Sequence, residues 1–146
     1  FGQTVDALYE RCDVSIRELE GLGQGTAGND KAEIFLEEAS SEIESAAARN
    51  TPVDSGQLKG AWTHVVDESK LEATVGNPLE YAIYVEMGTG EYALKGNGRR
   101  GGWKYKDDDG KWRFTYGIKP SRMLHNAFVS LKSAIINRAK QIFGGL

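Results

Sequence analysis

TPVDSGQLKGAW, Thr51 to Trp62, packs a proline, an Asp-Ser-Gly turn, a short helical run and a tryptophan into twelve residues. Two readings compete for it. Asp54 and Ser55, taken with His64 downstream, look like a fragment of a hydrolytic set. Alternatively Asp54 caps a short helix opening at Ser55, with Gln57 reaching back from the third helical position and Gly60 ending it. A nucleophilic serine needs a base within hydrogen-bond reach, a group that orients the base and donors for the oxyanion. Position in the sequence supplies none of these, whereas the cap needs nothing outside the stretch. The stretch therefore reads as a rigid corner that turns a helix into a strand.

Upstream of the corner, Asp30 can cap a helix with Glu33 completing a capping box, and Phe35, Ala39, Ile43 and Ala46 form its apolar face as far as about Arg49. GLGQGTAGND, residues 21–30, has four glycines in ten positions and reads as a flexible linker. Before it, Val5, Leu8, Tyr9, Cys12, Ile16 and Leu19 recur every three or four residues, which predicts an amphipathic helix over residues 1–20.

Downstream, AWTHVVDE and LEATVGN are rich in β-branched and aromatic residues and predict a hairpin turning at Ser69 and Lys70. NPLEYAIYVEMGTG predicts a short helix capped by Asn77, with Pro78 at its first position and Glu80 at the capping-box position, ending at Gly88. YALKGNGRRGG is a polar glycine loop carrying Arg99 and Arg100. WKYKDDDGKWRFTYGI predicts a second hairpin, with Trp103 and Tyr105 able to pair with Trp112, Phe114 or Tyr116. From Ser121, residues Leu124, Ala127, Phe128, Leu131, Ile135, Ala139 and Ile142 mark a long helix ending at Gly144. The expected fold is α+β: one domain over residues 31–146, with a small antiparallel sheet of hairpins against amphipathic helices, a long C-terminal helix, and a loop and aromatic hairpin at 90–118.

With 146 residues, 40% of them hydrophobic and 27% charged, the chain can build one real core. No apolar run approaches the roughly 18 to 20 residues that span a bilayer, and the first residues lack the basic start and apolar centre of a signal peptide. A soluble protein made in a cytoplasm is expected. Cys12 is the only cysteine, so a disulfide within the chain and a cysteine zinc site are both excluded, and a small core residue is its expected role. The net charge of -3 divides unevenly: residues 1–50 hold 11 acids against 4 bases, and residues 51–146 hold 10 against 14. The basic excess is spread over too long a stretch to form the concentrated face of a sequence-specific nucleic-acid binder.

The remaining candidate chemistry is thin. His64 and His125 lack partners at metal-ligand spacing. Asp107, Asp108 and Asp109 before Gly110 suggest a calcium loop, but Tyr105 stands where the first ligand belongs and no glutamate follows at the right distance. GNGRRGG lacks the lysine and hydroxyl order of a phosphate loop. Glu80 and Glu86, six apart, point in different directions from a helix. No catalytic residue, metal site or cofactor is expected.

Three segments together resemble the bacteriophage neck, tail-completion and head-tail joining proteins, the gene-product-ten-like family of lambdoid phages, also described as minor capsid proteins. Pro52, Val53, Asp54, Ser55, Gly56 and Leu58 match its Pro-Val-Asp-Ser/Thr-Gly-x-Leu turn. Tyr81, Ala82, Val85, Glu86, Gly88 and Thr89 match its Tyr-Ala-x-x-Val-Glu-x-Gly-Thr segment, and Pro120, Leu124 and Ala127 match the lead-in to its last helix more loosely. The resemblance covers roughly residues 32–143. It implies a non-enzymatic structural virion protein, assembled in the cytoplasm of a host bacterium into a homo-oligomeric ring, a hexamer or a dodecamer. That ring would stand at the head-tail junction as a neck, tail-completion or tail-terminator component. Its partners would be other neck and tail proteins, with neither a membrane nor sequence-specific nucleic acid involved, though packaged DNA would lie near. Arg99, Arg100, Trp103 and Trp112 are the candidate interface on the insertion. Glu37, Glu38 and Glu42 are candidates on the acidic half, set against the basic half of the next subunit. The loop from Gly96 to Gly102 is expected to gain order on assembly. A monomeric phage or bacterial protein-binding module is the alternative, and a hydrolase using Ser55 and His64 the third reading.

Overall fold

Thr63–Asp67 and Glu72–Asn77 alternate their side chains across a pleat. In the computed structural model, which describes residues 12–17, 26–52, 56–94, 96 and 98–143, they form the antiparallel strands β2 and β3. Their register runs from Thr63 opposite Gly76 to Asp67 opposite Glu72. The Asp67 carboxylate closes the turn by accepting from the Ser69 and Lys70 N–H groups at 3.0 and 3.2 Å and from the Ser69 hydroxyl at 2.7 Å.

The other edge of β3 is taken by Cys12–Arg17, which is strand β1 where the three- and four-residue periodicity predicts a helix. Cys12, Val14 and Ile16 recur with period two, and Cys12 and Ile16 also belong to the helical stripe. Six register partners on β3, from Asn77 opposite Cys12 to Glu72 opposite Arg17, decide for the strand. The sheet order is β1-β3-β2, so this N-terminal segment is part of the sheet, not an appended helix. The rest of the expected first helix lies outside the described residues.

Helix α1 spans Thr26–Asn50, so it begins before the expected cap at Asp30 and takes in residues 26–30 of the expected linker. Residues 21–25 lie outside the described residues. Phe35, Leu36, Ala39, Ile43 and Ala47 are buried, together with Ile16, Ala73 and Val75 from the inner face of the sheet. Against α1 runs α4, Met123–Phe143, which buries Met123, Leu124, Ala127, Ile135 and Ala139. The Phe35 and Phe143 rings meet edge to face with centroids 5.9 Å apart. Each large apolar side chain buried here contributes about 1.5 to 3 kcal/mol.

The corner lies beyond the end of α1. The Thr51 hydroxyl donates to the Ala47 carbonyl at 2.8 Å and accepts the Trp62 indole N–H at 2.8 Å, both inside the core. A four-residue helix, α2, spans Gly56–Lys59 and buries Leu58. The Leu58 carbonyl accepts from the Asn77 side-chain amide at 2.8 Å, and the Asn50 amide donates to the Met123 carbonyl at 3.1 Å. One turn of sequence thus fastens α1, α2, β3 and α4 together. Asp54 and Ser55, on which the capping reading rests, lie outside the described residues.

Asn77 does not cap the next helix. It is still paired with Cys12, its carboxamide oxygen accepts the Leu79 N–H at 3.1 Å, and α3 starts only at Ala82 and runs to Met87. An extended residue inside a ladder is held by the sheet, so the chain makes a turn first. A 3₁₀ turn at Gly90–Tyr92 follows, then β4, Trp103–Lys106, and β5, Trp112–Thr115. This second sheet has two strands, and among the described residues they pack extensively only on each other. The expected aromatic pairs across it are absent: Trp103 faces Thr115, Tyr105 faces Arg113, Lys104 faces Phe114 and Lys106 faces Trp112. The register makes each cross-strand pair an aromatic beside a non-aromatic residue, so the aromatics are shared between both faces of the ribbon. The fold is α+β, with small antiparallel sheets and a long C-terminal helix.

Candidate functional site

Glu86 is four residues past Ala82, on the face that α3 buries, and is only 2% exposed. A carboxylate removed from water must be hydrogen-bonded. Its Oε1 accepts the Leu124 N–H at 2.8 Å and its Oε2 the His125 N–H at 3.0 Å. These are donors in the first turn of α4, which no preceding turn can satisfy. The negative charge also faces the positive end of the helix dipole, and the Arg122 guanidinium stands 3.9 Å away. Glu86 thus caps a helix that begins 37 residues later in the chain. Spacing alone does not reveal this; the available signal is an acid on the apolar face of a six-residue helix.

Next to it, the chain leaves and re-enters the body through one crossing. The Thr89 N–H donates to the Ile118 carbonyl at 2.8 Å and the Ile118 N–H to Thr89 Oγ1 at 2.8 Å, while the Glu91 N–H reaches the Tyr116 carbonyl at 2.9 Å. Ser121 and Arg122 donate their N–H groups to the Val85 and Glu86 carbonyls at 2.9 and 3.3 Å. Glycine is required at the crossing. Gly88 has φ 82°, and a Cβ there would stand 2.8 Å from the Tyr92 carbonyl oxygen; Gly90 has φ 61°, and a Cβ there would stand 2.1 Å from that of Tyr116. The Glu-x-Gly-Thr segment is therefore a clamp. It caps α4 with one residue and pins the base of the hairpin with the next.

Above the clamp stands the ribbon. Trp112 is 66% exposed and Phe114 54%; Phe114 meets Tyr116 edge-on at 5.1 Å and the Lys106 ammonium lies 5.4 Å from the Trp112 ring. Trp103 is half-buried, with the Arg99 guanidinium 5.5 Å from its ring, and Arg100 is exposed. Asp107 ties the tip by accepting from the Asp109 and Lys111 N–H groups at 3.0 and 2.9 Å and from Arg113 Nε at 2.8 Å, and the Arg113 bond holds its carboxyl below the usual range. The Gly96–Gly102 loop touches the clamp: the Gly101 N–H donates to Glu91 Oε1 at 3.2 Å.

The structure does not join the other expected site residues to this ribbon. Tyr81 is exposed, while Pro52 and Gly56 lie at the corner on either side of residues outside the described set. Glu37, Glu38 and Glu42, expected to face a neighbour, have partners in their own chain. Arg138 on α4 meets Glu42 at 2.7 and 3.0 Å and Glu38 at 3.8 Å. His64 lies between Glu37, 2.6 Å from Nε2, and Glu44 on Nδ1. Reversing the three acids would therefore break contacts inside the subunit as well as any outside it. With both ring nitrogens engaged by carboxylates, His64 has no free nitrogen to serve Ser55 as a base. The Cys12 thiol is buried, and burial pushes its pKa up to about 12.

A packed α+β body whose buried polar groups are spent on caps and turns, carrying an unburied aromatic ribbon, has the make-up of a structural component. The chain belongs to the HK97-gp10-like family, whose model, described as "Bacteriophage HK97-gp10, putative tail-component", matches residues 13–88. Comparison with curated proteins and with solved structures finds no match. The matched segment opens in β1 and closes on Gly88, so it contains the three-stranded sheet apart from Cys12, and Glu86, but stops before the ribbon and α4. The protein is thus a bacteriophage tail-related component, and the family points to a structural role in the virion with other phage proteins as partners. Among the described residues no helix is long and apolar enough to cross a membrane.

Proposed function

We propose that this tail-family protein forms a ring at the head-tail junction of a tailed bacteriophage, as a neck, tail-completion or tail-terminator subunit, and joins the tail to the DNA-filled head. The observation that carries this reading is the ribbon: large aromatics left in water on a stem fixed by main-chain bonds mark a surface made to be covered. Closed rings of identical subunits are a common way for one such surface to be covered repeatedly. Hexamers and dodecamers are the expected sizes. Particles made without the protein should accumulate as full heads separate from finished tails when imaged by electron microscopy. Joined, infectious particles would overturn the reading. Native mass spectrometry of the purified chain reads the ring directly, and a monomer at every concentration would favour a single-partner binding module.

A further inference from the structure

Besides the ribbon, the body offers a large concave surface. The outer face of the three-stranded sheet, opposite α1, is bordered by α3 and the turn before it, which leaves an open groove of about 450 Å³. That volume falls in the roughly 300 to 1,000 Å³ range of pockets that bury a drug-sized group, ample for an indole and a phenyl ring. Val65, 63% exposed on β2, lies on the floor, with Leu79 and Ile83 as the apolar wall. The carboxylates of Asp13 and Glu80 also line it.

The ribbon offers the complement. Its register sets Trp112 and Phe114 on the same face as Lys106 and Lys104, so two large apolar side chains stand between two ammonium groups. A two-stranded hairpin alone in water is at best marginally stable, and this one packs extensively on nothing else among the described residues. We propose that the Trp112–Phe114 face of one subunit docks into the outer-sheet groove of a second copy of this chain, with Lys104 and Lys106 at the exposed Glu80. The inference rests on the ring reading above and names its contact. Groove and ribbon are different surfaces of one chain, so the contact is heterologous: each copy gives its ribbon to one neighbour and its groove to the other, and the series closes when the rotation allows. Opposite charge at the rim fixes the register, and the aromatics supply the central burial.

Charge reversal tests this on the full chain. Lys104→Glu and Glu80→Lys are both exposed changes, and thermal melts should confirm that each variant folds as wild type does. Each alone sets like charges against one another across the contact and should lower the association constant read by sedimentation by on the order of tenfold, and the double variant should recover it. In parallel, Phe114→p-benzoylphenylalanine is photo-crosslinked in rings assembled from light and heavy isotope-labelled chains. Mixed-mass cross-links to Val65, Leu79 or Ile83 support the contact. Rings that persist in both single variants, with cross-links elsewhere on the neighbour, to residues 1–11 of the same chain, or to added DNA, overturn the docking and leave the ring intact. A wild-type chain that never assembles overturns the ring reading itself.

Discussion

Phe35 on α1 is 1% exposed, while Phe114 on β5 is 54% exposed. The same side chain serves two regions built on different terms. Around Phe35, two long helices cover one face of a sheet, and burial of aliphatic and aromatic surface holds them there. Around Phe114, two strands are held by their own ladder, by the Asp107 turn and by the crossing at Thr89, and the aromatic surface stays in water. The body is complete by itself, whereas the ribbon is complete in shape and unsatisfied in chemistry. In a family of tail components, that contrast is the ground on which we propose the ribbon as the surface that assembly covers.

The contrast can be broken at its strong end first. Phe35→Ala should cost about 3 to 5 kcal/mol in urea unfolding, the range for emptying a packed aromatic site. A cost below about 1 kcal/mol would show that the region between α1 and the sheet is not the core, since surface substitutions stay near that scale.

Glu86→Ala comes next. It leaves the Leu124 and His125 N–H groups without their buried acceptor, and a loss of about 2 to 4 kcal/mol is expected, since bonds to charged groups contribute roughly 1.5 to 3 each and do not add fully. Amide exchange should quicken in the first turn of α4 more than in α1. Equal acceleration of both helices would mean that Glu86 acts through the whole fold and not through the cap.

His64 gives a smaller, pH-dependent effect. Its bond to Glu37, aided by Glu44, raises its pKa above the ordinary 6.5. The folded value is the higher one, so the contribution to stability is fully present below about 6.5 and fades as pH rises through the folded pKa. Thermal melts across that interval should decline with pH in wild type and flatten in His64→Gln. Parallel profiles would show that the histidine takes no part.

At the weak end, Phe114→Ala should leave the free subunit within about 0.5 kcal/mol of wild type, as exposed substitutions do. The same change should deplete assembled rings in sedimentation. Destabilisation of the monomer as large as that of Phe35→Ala would erase the distinction between the two regions.

How much of this was legible in the sequence depended on whether a residue's partner was near it in the chain. The apolar face of α1 at Phe35, Ala39, Ile43 and Ala46, the β2–β3 hairpin and the stripe of α4 are local patterns, and the structure has them as read. Cys12–Arg17 fits two periods, and what chooses the strand is the free edge of β3, some sixty residues away. The aromatic pairing of the ribbon failed because turn length sets the register, and the tip at Asp107–Lys111 puts each aromatic opposite a non-aromatic residue. The acids of α1 looked available to a neighbour because Arg138 and His64 are distant in sequence. Glu86 was recognisable as a motif letter, but its function belongs to α4.

The crossing at Thr89 and Ile118 also bears on how such a chain can vary. Its two ends are held by a main-chain bond and a bond to the Thr89 hydroxyl, each 2.8 Å, so everything between them hangs from the body as a cassette. The closure entropy of a loop rises by only about 0.6 kcal/mol for each doubling of its length. Lengthening, shortening or rewriting the cassette therefore costs the body little, and the family match ends at Gly88, immediately before it. A tail protein built this way can exchange what it presents to its neighbours while the frame that presents it stays the same.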